Sequence, residues 1–496
     1  MTTPQYPRLT RTPRPVVGLD DALKRRNEYD GVVIGSGPNG LAAAIVLARA
    51  GRTVLVLEAQ ENIGGGTRSC ELTLPGFTHD VCSAVHPMAV ASPFLRSLPL
   101  HEHGLEWIEP PYPLAHPFDD GTAAILDHSL DTTCRLLGND GENYRALIGP
   151  LAAQWNFLSE EILGPIGFPK HPLVMARFGL HALQPASRLA KSSFKSETAR
   201  ALFAGVAAHS ILPLDFWGTS AIGLVLSAAA HGKGWPIPKG GSQKIADAMA
   251  SYLRSLGGNI VTGTRVRSLK DLPTSEIILC DLSPRGLLQI AGESFPASYR
   301  RALENYRHGP GVFKVDWALR GPIPWKAPQC GHAGTVHLGG TISEIAISER
   351  DCWRNVTSEK PFVLLTQPSL FDPSRAPTGC HTAWAYCHVP NASTHDMTER
   401  IEAQVERFAP GFRELILARS IKSPAILERE NSNLIGGDIT GGANILSQLF
   451  LRPTRRLYAT PVKGLYLCSA STPPGGGVHG MCGYHAATRA LADASS

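Results

Sequence analysis

Residues 29–69 read YDGVVIGSGPNGLAAAIVLARAGRTVLVLEAQENIGGGTRS, and the order of residue types in this stretch decides the fold. Gly31-Val32-Val33-Ile34 is a short apolar run suited to a parallel strand buried on both faces. Glycines follow at 35, 37 and 40, and Leu41 to Ala50 has the composition of a helix. A second apolar run, Thr53 to Leu57, ends in Glu58. Strand, glycine turn, helix and acid-ended strand together predict a βαβ unit that binds a dinucleotide. Gly35 permits the tight turn, Gly37 lets the backbone approach a pyrophosphate, and Gly40 lets helix and strand pack closely. Ser36, Pro38 and Asn39 complete the turn, whose helix N-terminus offers partial positive charge to the phosphates. Glu58, followed by Ala59, can accept hydrogen bonds from both hydroxyls of an adenosine ribose. Its charge would repel a 2′-phosphate, which disfavours NADP and leaves FAD or NAD.

Two features choose FAD. Gly64-Gly65-Gly66, followed by Thr67, comes directly after the second strand, where an extended cofactor needs a second close backbone approach. At the far end, Gly464 to Cys468 reads as another buried strand and runs into PPGGGVHGMCGYHAATRALADA, a glycine-rich turn leading to a helix. N–H groups at that helix start would stabilise negative charge on a reduced flavin, with His479 able to face the ring and Gly480 and Met481 at the approach.

The remaining composition narrows the class. At 496 residues the chain exceeds what one core usually organises, which argues for two joined domains or one with a large insertion. Hydrophobic residues make up 43% and charged residues 18%, the balance of a globular chain and not of a disordered one. The net charge of +5 is spread over 47 basic and 42 acidic residues without a long like-charge block, so nucleic acid is not expected as a partner. Ten cysteines without a CxxC pair suggest free thiols in a reducing, cytoplasmic compartment. Residues 1–28 carry basic residues and four prolines among the first fifteen, but no signal-peptide apolar core, and read as an N-terminal arm. No transmembrane helix is expected, because the stretch between Asp215 and Lys233 is too short.

The motifs resemble those of an FAD-dependent superfamily that includes bacterial phytoene desaturases, flavin-type carotene ketolases and the pyridine nucleotide-disulfide oxidoreductase domain-containing protein 2 subgroup. The resemblance spans nearly the whole chain. It rests on GSGPNGL at 35–41, PIPKGGSQKIADAM at 236–249, YRHGPGVFKVDWAL at 306–319, ERFAPGFRELI at 406–416, NLIGGDITGG at 433–442 and the terminal PPGGGVHGMCG. It implies an α/β fold: a Rossmann-like FAD-binding domain of the glutathione reductase and amine oxidase type, with an inserted mixed α+β substrate domain. The FAD-binding domain is expected from 29–100, 236–290 and 451–496, and the substrate domain from 101–235 and 291–450. Similar proteins place the counterpart of Val266 on a strand over the adenine. They also carry an arginine after the double glycine, where this chain has Gly66, so Arg68 is the candidate to replace it.

Only one dinucleotide fingerprint is present, so electrons are expected to enter from an organic substrate and leave to oxygen, a quinone or another carrier. Hydride removal needs the donor C–H within about 3.5 Å of flavin N5 and water excluded. The run Phe216 to Leu226 suits either a wall of such a site or a plain core helix. Lys314, in the alternating run Val312 to Trp317, can position water at a flavin, but shares a strand face with Asp316 and equally suits a salt bridge. Asp438 lies in a glycine-rich loop with the composition of a site or of a turn. His479, Cys482 and His485 do not suit zinc, because steps of three rotate the third ligand away from the first. No nucleophile elbow supports a hydrolase.

The expectation is therefore an FAD-dependent oxidoreductase that desaturates or redox-isomerises an apolar polyene or lipid-like molecule. A flavin amine oxidase would instead want an aromatic cage, for which Trp317, Tyr386 and Tyr466 are available, and a non-redox lipid carrier on the same fold needs no flavin pocket. Peripheral membrane contact is compatible with a lipid substrate, although no basic amphipathic helix demands it; the oligomeric state is left open. Purified protein should be yellow, with the flavin band near about 450 nm; colourless protein that refuses added FAD would favour the carrier.

Overall fold

The computed structural model describes residues 28–165, 167–449 and 451–495, so the expected N-terminal arm lies outside the described residues except for Glu28. The strand Glu28–Ile34 begins the chain's central sheet, and Val32 and Val33 are fully buried, as a strand covered on both faces requires. It pairs in parallel with Val54–Leu57 on one side and Thr274–Cys280 on the other. Asn259–Val261 and Leu465–Leu467 extend the two edges, completing five parallel strands. The loop carrying Val266 is not a strand: Thr264 N–H donates to the Glu58 carbonyl at 2.7 Å after Asn259–Val261 has ended.

The helix Pro38–Arg49 starts on Gly37 with Pro38 in its first turn and no acidic residue of its own there, so the positive end of its dipole faces the strand ends, where Gly40 N–H meets Asp281. Leu41, Ala42, Ala43, Ala44, Ile45 and Leu47 are fully buried. Burying each of the larger ones contributes about 1.5–3 kcal/mol. The small residues admit the last helix, Met481–Ala494, at close range: a Cβ on Gly483 would strike the carbonyl of Asn39. The helices Pro38–Arg49 and Met481–Ala494 are thereby packed against each other beside the first strand.

A seven-stranded sheet stands beside this layer, in the order Ile416–Lys422, Gly311–Leu319, His381–Val389, Val363–Thr366, Ala333–Leu338, Tyr112–Pro117 and Ala123–Leu126. Its pairs are antiparallel except that between Ala333–Leu338 and Tyr112–Pro117. Along Gly311–Leu319, Phe313, Val315, Trp317 and Leu319 face one apolar core shared with the helix Thr398–Phe408. The period of two sends Lys314 and Asp316 to the other face. Leu114, Leu126 and Leu364 pack there against helices drawn from residues 141–233. One face of this sheet is thus the floor under a helical roof.

The contact between Gly483 and Asn39 can be tested. Gly483→Val should lower the unfolding free energy by about 1–3 kcal/mol or more, because neither backbone can yield without moving its helix. Denaturant unfolding followed by circular dichroism would show it; an unchanged midpoint would contradict this packing.

Candidate active site

A cavity of about 880 Å³ runs from the ends of the parallel strands into the space between the seven-stranded sheet and its helical roof. Its volume lies at the upper end for pockets that take whole cofactors and ligands. The glycine turn Gly35 to Asn39 lines one end, with Glu58, Ala59 and the second glycine turn Gly65 to Thr67 beside it. Gly35 holds φ +101° and Gly65 +53°, which side chains rarely adopt. A Cβ on Gly65 would stand 3.1 Å from the Gly37 Cα, so the two turns meet backbone to backbone and form one cradle.

Whether FAD suits this cradle can be judged from the polar atoms. Glu58 accepts from Ser36 N–H at 2.8 Å and Ser36 Oγ at 2.6 Å on one oxygen, and from Gln60 N–H at 2.9 Å on the other. The second oxygen keeps an acceptor site for a ribose hydroxyl. Asn39 Oδ1 is buried without a partner in the cavity-lining turn, as an acceptor awaiting a ligand donor would be. Thr264, Arg265 and Val266 close the outer end beyond Glu58. The cradle therefore fits an adenine dinucleotide extended toward the second domain, which is how FAD, not a free NAD, fills such a path.

The remaining predicted contacts are distributed differently. Gly40 does not line the cavity; a Cβ on it would strike the Gly35 carbonyl, so its smallness serves the helix–turn contact. Gly480 and Met481 also lie off the cavity: a Cβ on Gly480 would meet Ala42 at 3.1 Å and Phe94 at 3.3 Å. The lining belongs instead to Gly476, Gly477, Val478 and His479, just before the helix. Arg68 does line it, with Nε donating to the Gly65 carbonyl at 3.0 Å and Nη2 to the Glu430 carbonyl at 3.2 Å.

Of the three catalytic candidates, only His479 reaches the cavity. Its Nδ1 accepts from Met481 N–H at 3.0 Å, and burial pushes the imidazole down to about 4, so it is neutral. Lys314 is buried behind the wall, with Nζ donating to Asp316 at 2.5 Å and to the Asp80 carbonyl at 3.0 Å, and lies 5.4 Å from the ring of Trp384. Trp384, not Lys314, lines the cavity, so the alternation that placed Lys314 on this face did not carry it to the surface. Asp438 is fully buried and ties a loop: it accepts from Gly309 N–H at 3.0 Å, Thr440 N–H at 2.8 Å and Thr440 Oγ1 at 2.7 Å. Phe216 to Leu226 combines its two readings. Within Thr219–Lys233, Ile222, Val225 and Leu226 line the cavity while Leu224 is in the core.

Several lining residues carried no local signal. Asp281 follows the strand Thr274–Cys280, where parallel strand ends meet a crevice, and only that topology could have pointed to it. Its Oδ2 accepts from Gly40 N–H at 3.0 Å. Burial, with the negative charge of Glu58 adding to it, pushes the Asp281 carboxyl up to about 7. Asn433 donates through Nδ2 to the Asp281 carbonyl at 2.8 Å and accepts from Ser283 N–H at 2.7 Å, bridging the two domains across the cleft. In the inner half, His209 and His337 approach at 3.0 Å between Nε2 atoms, and burial holds His209 down at about 3. Trp384 and Tyr386 stack at 5.5 Å with 23° between their planes.

Comparison with known proteins agrees with this geometry. The NAD(P)-binding Rossmann-like domain family matches residues 33–98. The chain is 28% identical to the rat pyridine nucleotide-disulfide oxidoreductase domain-containing protein 2, over 95% of this chain and 94% of that protein. It is 25% identical to the lycopene-forming phytoene desaturase of Pantoea ananas, over 92% and 98%. Among solved structures, putrescine oxidase with bound putrescine superposes with a TM-score of 0.60 at 19% identity, over 94% of this chain and 99% of that one, which shows a shared fold.

Two outcomes follow. The Asp281 carboxyl keeps its proton in the folded state to about pH 7. The unfolded chain releases it near about pH 4, so Asp281 weakens folding progressively between those values, by roughly 1.4 kcal/mol per pH unit. Asp281→Asn should therefore raise the Tm of the cofactor-free protein more at pH 8 than at pH 4; a pH-independent difference would contradict it. Lys314→Met should cost about 3–5 kcal/mol by leaving Asp316 buried and unpaired, and Lys314→Met with Asp316→Leu should recover much of the loss in urea unfolding.

Proposed function

We propose that this chain, an FAD-dependent oxidoreductase of the phytoene desaturase-like superfamily, dehydrogenates or redox-isomerises a long apolar substrate of polyene or lipid type. One observation carries the reading. Cavity-lining residues between 175 and 235, and between 335 and 386, include Met175, Phe178, Ile222, Leu226, Leu364 and Trp384, and none of them is Asp, Glu, Lys or Arg. Glu161 also lines the cavity, where it accepts from His171 N–H at 2.7 Å, but the stretches above carry no charge, which favours a substrate without charges, since an ion placed there would lose its hydration with no partner in return.

When bound, FAD supplies the two-electron acceptor for a hydride leaving a substrate C–H. The chain's own part is positional. The two glycine turns and Glu58 hold the dinucleotide end, and the apolar wall orients the substrate and keeps water away. Desaturation also releases a proton from the substrate. That proton leaves to solvent: of the His209–His337 pair only His209 lines the wall, and burial drives both imidazoles down, so they stay neutral and serve as an uncharged polar contact. Electrons then pass to oxygen, a quinone or another carrier, a reading supported by the single dinucleotide fingerprint.

An amine oxidase fits the same fold less well here. Of the aromatics available for a cage, Trp317 points into the opposite core and donates to Glu402 at 3.0 Å, and Tyr466 bonds Asp493 at 3.1 Å. Only Tyr386 lines the cavity, and its partner Trp384 stacks on it instead of facing it across a gap. Anaerobic mixing of the yellow protein with a panel of polyenes, isoprenoid lipids and primary amines separates the readings. Bleaching of the flavin by an apolar compound is expected, and bleaching by amines alone would overturn the proposal. Ile222→Glu should keep the flavin spectrum while slowing that bleaching by at least about 100-fold, because the new carboxylate stands in the uncharged wall.

A further inference from the structure

The helix Pro172–Ala182 has two apolar faces. Met175, Phe178, Gly179 and Ala182, at i, i+3, i+4 and i+7, line the cavity. Leu173 and Leu180 stand one heptad apart on the outside, 86% and 72% exposed. One helix thickness therefore separates the cavity from the exterior, and Leu183, just past the helix, both lines the cavity and is half exposed. The outer patch continues through Phe168, 98% exposed, and Trp217, 60% exposed. Gly218 N–H donates to the Leu183 carbonyl at 2.8 Å, which sets Trp217 beside Leu183. Phe157 joins at the other end through its ring contact with His171 at 4.6 Å. Six of the twelve large apolar side chains exposed among the described residues fall in this one region, a clustering that marks an interaction surface.

The charges around it are of one sign. Residues 162–196 contain no Asp or Glu and carry Lys170, Arg177, Arg188, Lys191 and Lys195, all exposed. Carboxylates stand at the margins, in Glu160, Glu161, Glu197 and Asp215; Glu161 is turned back to accept from His171 N–H at 2.7 Å and Glu197 accepts from Ile342 N–H at 2.7 Å. Exposed leucine and aromatic side chains flanked by cations that form no ion pair among the described residues are the chemistry of a helix lying in the headgroup layer of an anionic bilayer. A two-fold pairing with a second copy through this face would lay two patches of the same sign of charge on each other. Among the described residues no helix is long and apolar enough to cross a membrane, so contact through this patch is with one leaflet.

We propose that the patch of Phe168, Leu173, Leu180, Leu183 and Trp217 docks on an anionic lipid surface and places the mouth of the cavity at the level of the acyl chains. That an apolar substrate enters there rests on the reading above; the docking itself does not.

The test uses the flavin-loaded, full-length protein and vesicles of phosphatidylcholine with or without phosphatidylglycerol. Sedimentation with the anionic vesicles is expected, with less binding to the neutral ones and at high salt. Leu173→Ser with Leu180→Ser, neither of which lines the cavity, should reduce partitioning at least about tenfold, while an unchanged flavin spectrum and Tm show an intact fold. Brominated acyl chains should quench part of the tryptophan emission, and that part should vanish in Trp217→Phe. No sedimentation with anionic vesicles, or equal binding by the double variant, would overturn the proposal. So would concentration-dependent dimers in light scattering that the same substitutions abolish, which would assign the patch to a second copy. Vesicle binding without bleaching by any apolar compound would retain the docking and discard the substrate class.

Discussion

Everything in this molecule is arranged around a place where backbone must stand in for side chains. The turns at Gly35–Asn39 and Gly64–Thr67 come within van der Waals contact of each other, and the first helix begins at this contact, its Gly40 N–H held by Asp281. A methyl group on Gly65 would press the two turns apart. The parallel sheet exists to deliver these turns to one edge, since parallel strands all end on the same side. The last helix, clamped on the first through Gly483, keeps that edge from opening.

From this edge the second domain takes its orientation. Asn433 reaches from the loop after Pro424–Glu430 to the backbone of Asp281 and Ser283, and Arg68 reaches back to the Glu430 carbonyl. These crossings hold the seven-stranded sheet beside the cleft. The polar end of the cavity thus continues into an apolar one without a break in the wall. Buried charge is kept out of that wall by pairing it behind: Lys314 with Asp316, and Arg375 with Asp80 at 2.7 Å, leave Trp384 and Tyr386 as the surface. Buried ion pairs of this kind add little to stability, but losing one partner is costly, which makes them effective at holding a surface in register.

The fold was legible because its signals are local. The βαβ unit depends on residues within one stretch of chain, and strand, turn and helix each follow from the period of their own apolar residues. The observed helix Pro38–Arg49 and strand Val54–Leu57 lie within a few residues of what that stretch implies. Ser36, Glu58 and Gly65 line the cavity for the same reason. Lys314 shows the limit of such reasoning. A period of two states which face a residue takes, and it placed Lys314 and Asp316 together as the salt bridge the structure forms; that the pair is buried behind the wall and does not reach the cavity is decided by the packing above it.

What the amino-acid order determines by itself is a dinucleotide cradle and the acid at its ribose end, because turn geometry and helix polarity act over a few residues. Tertiary structure alone decided the rest of the site. Asp281 stands at the cradle because a strand some 240 residues away in sequence pairs with the first, as its contact with Gly40 shows. His209 meets His337 across 128 positions, and the wall of Ile222, Leu364 and Trp384 is drawn from three separate segments. No pattern along a chain encodes which uncharged faces will enclose one volume, since that depends on how whole elements pack and not on the spacing within any of them.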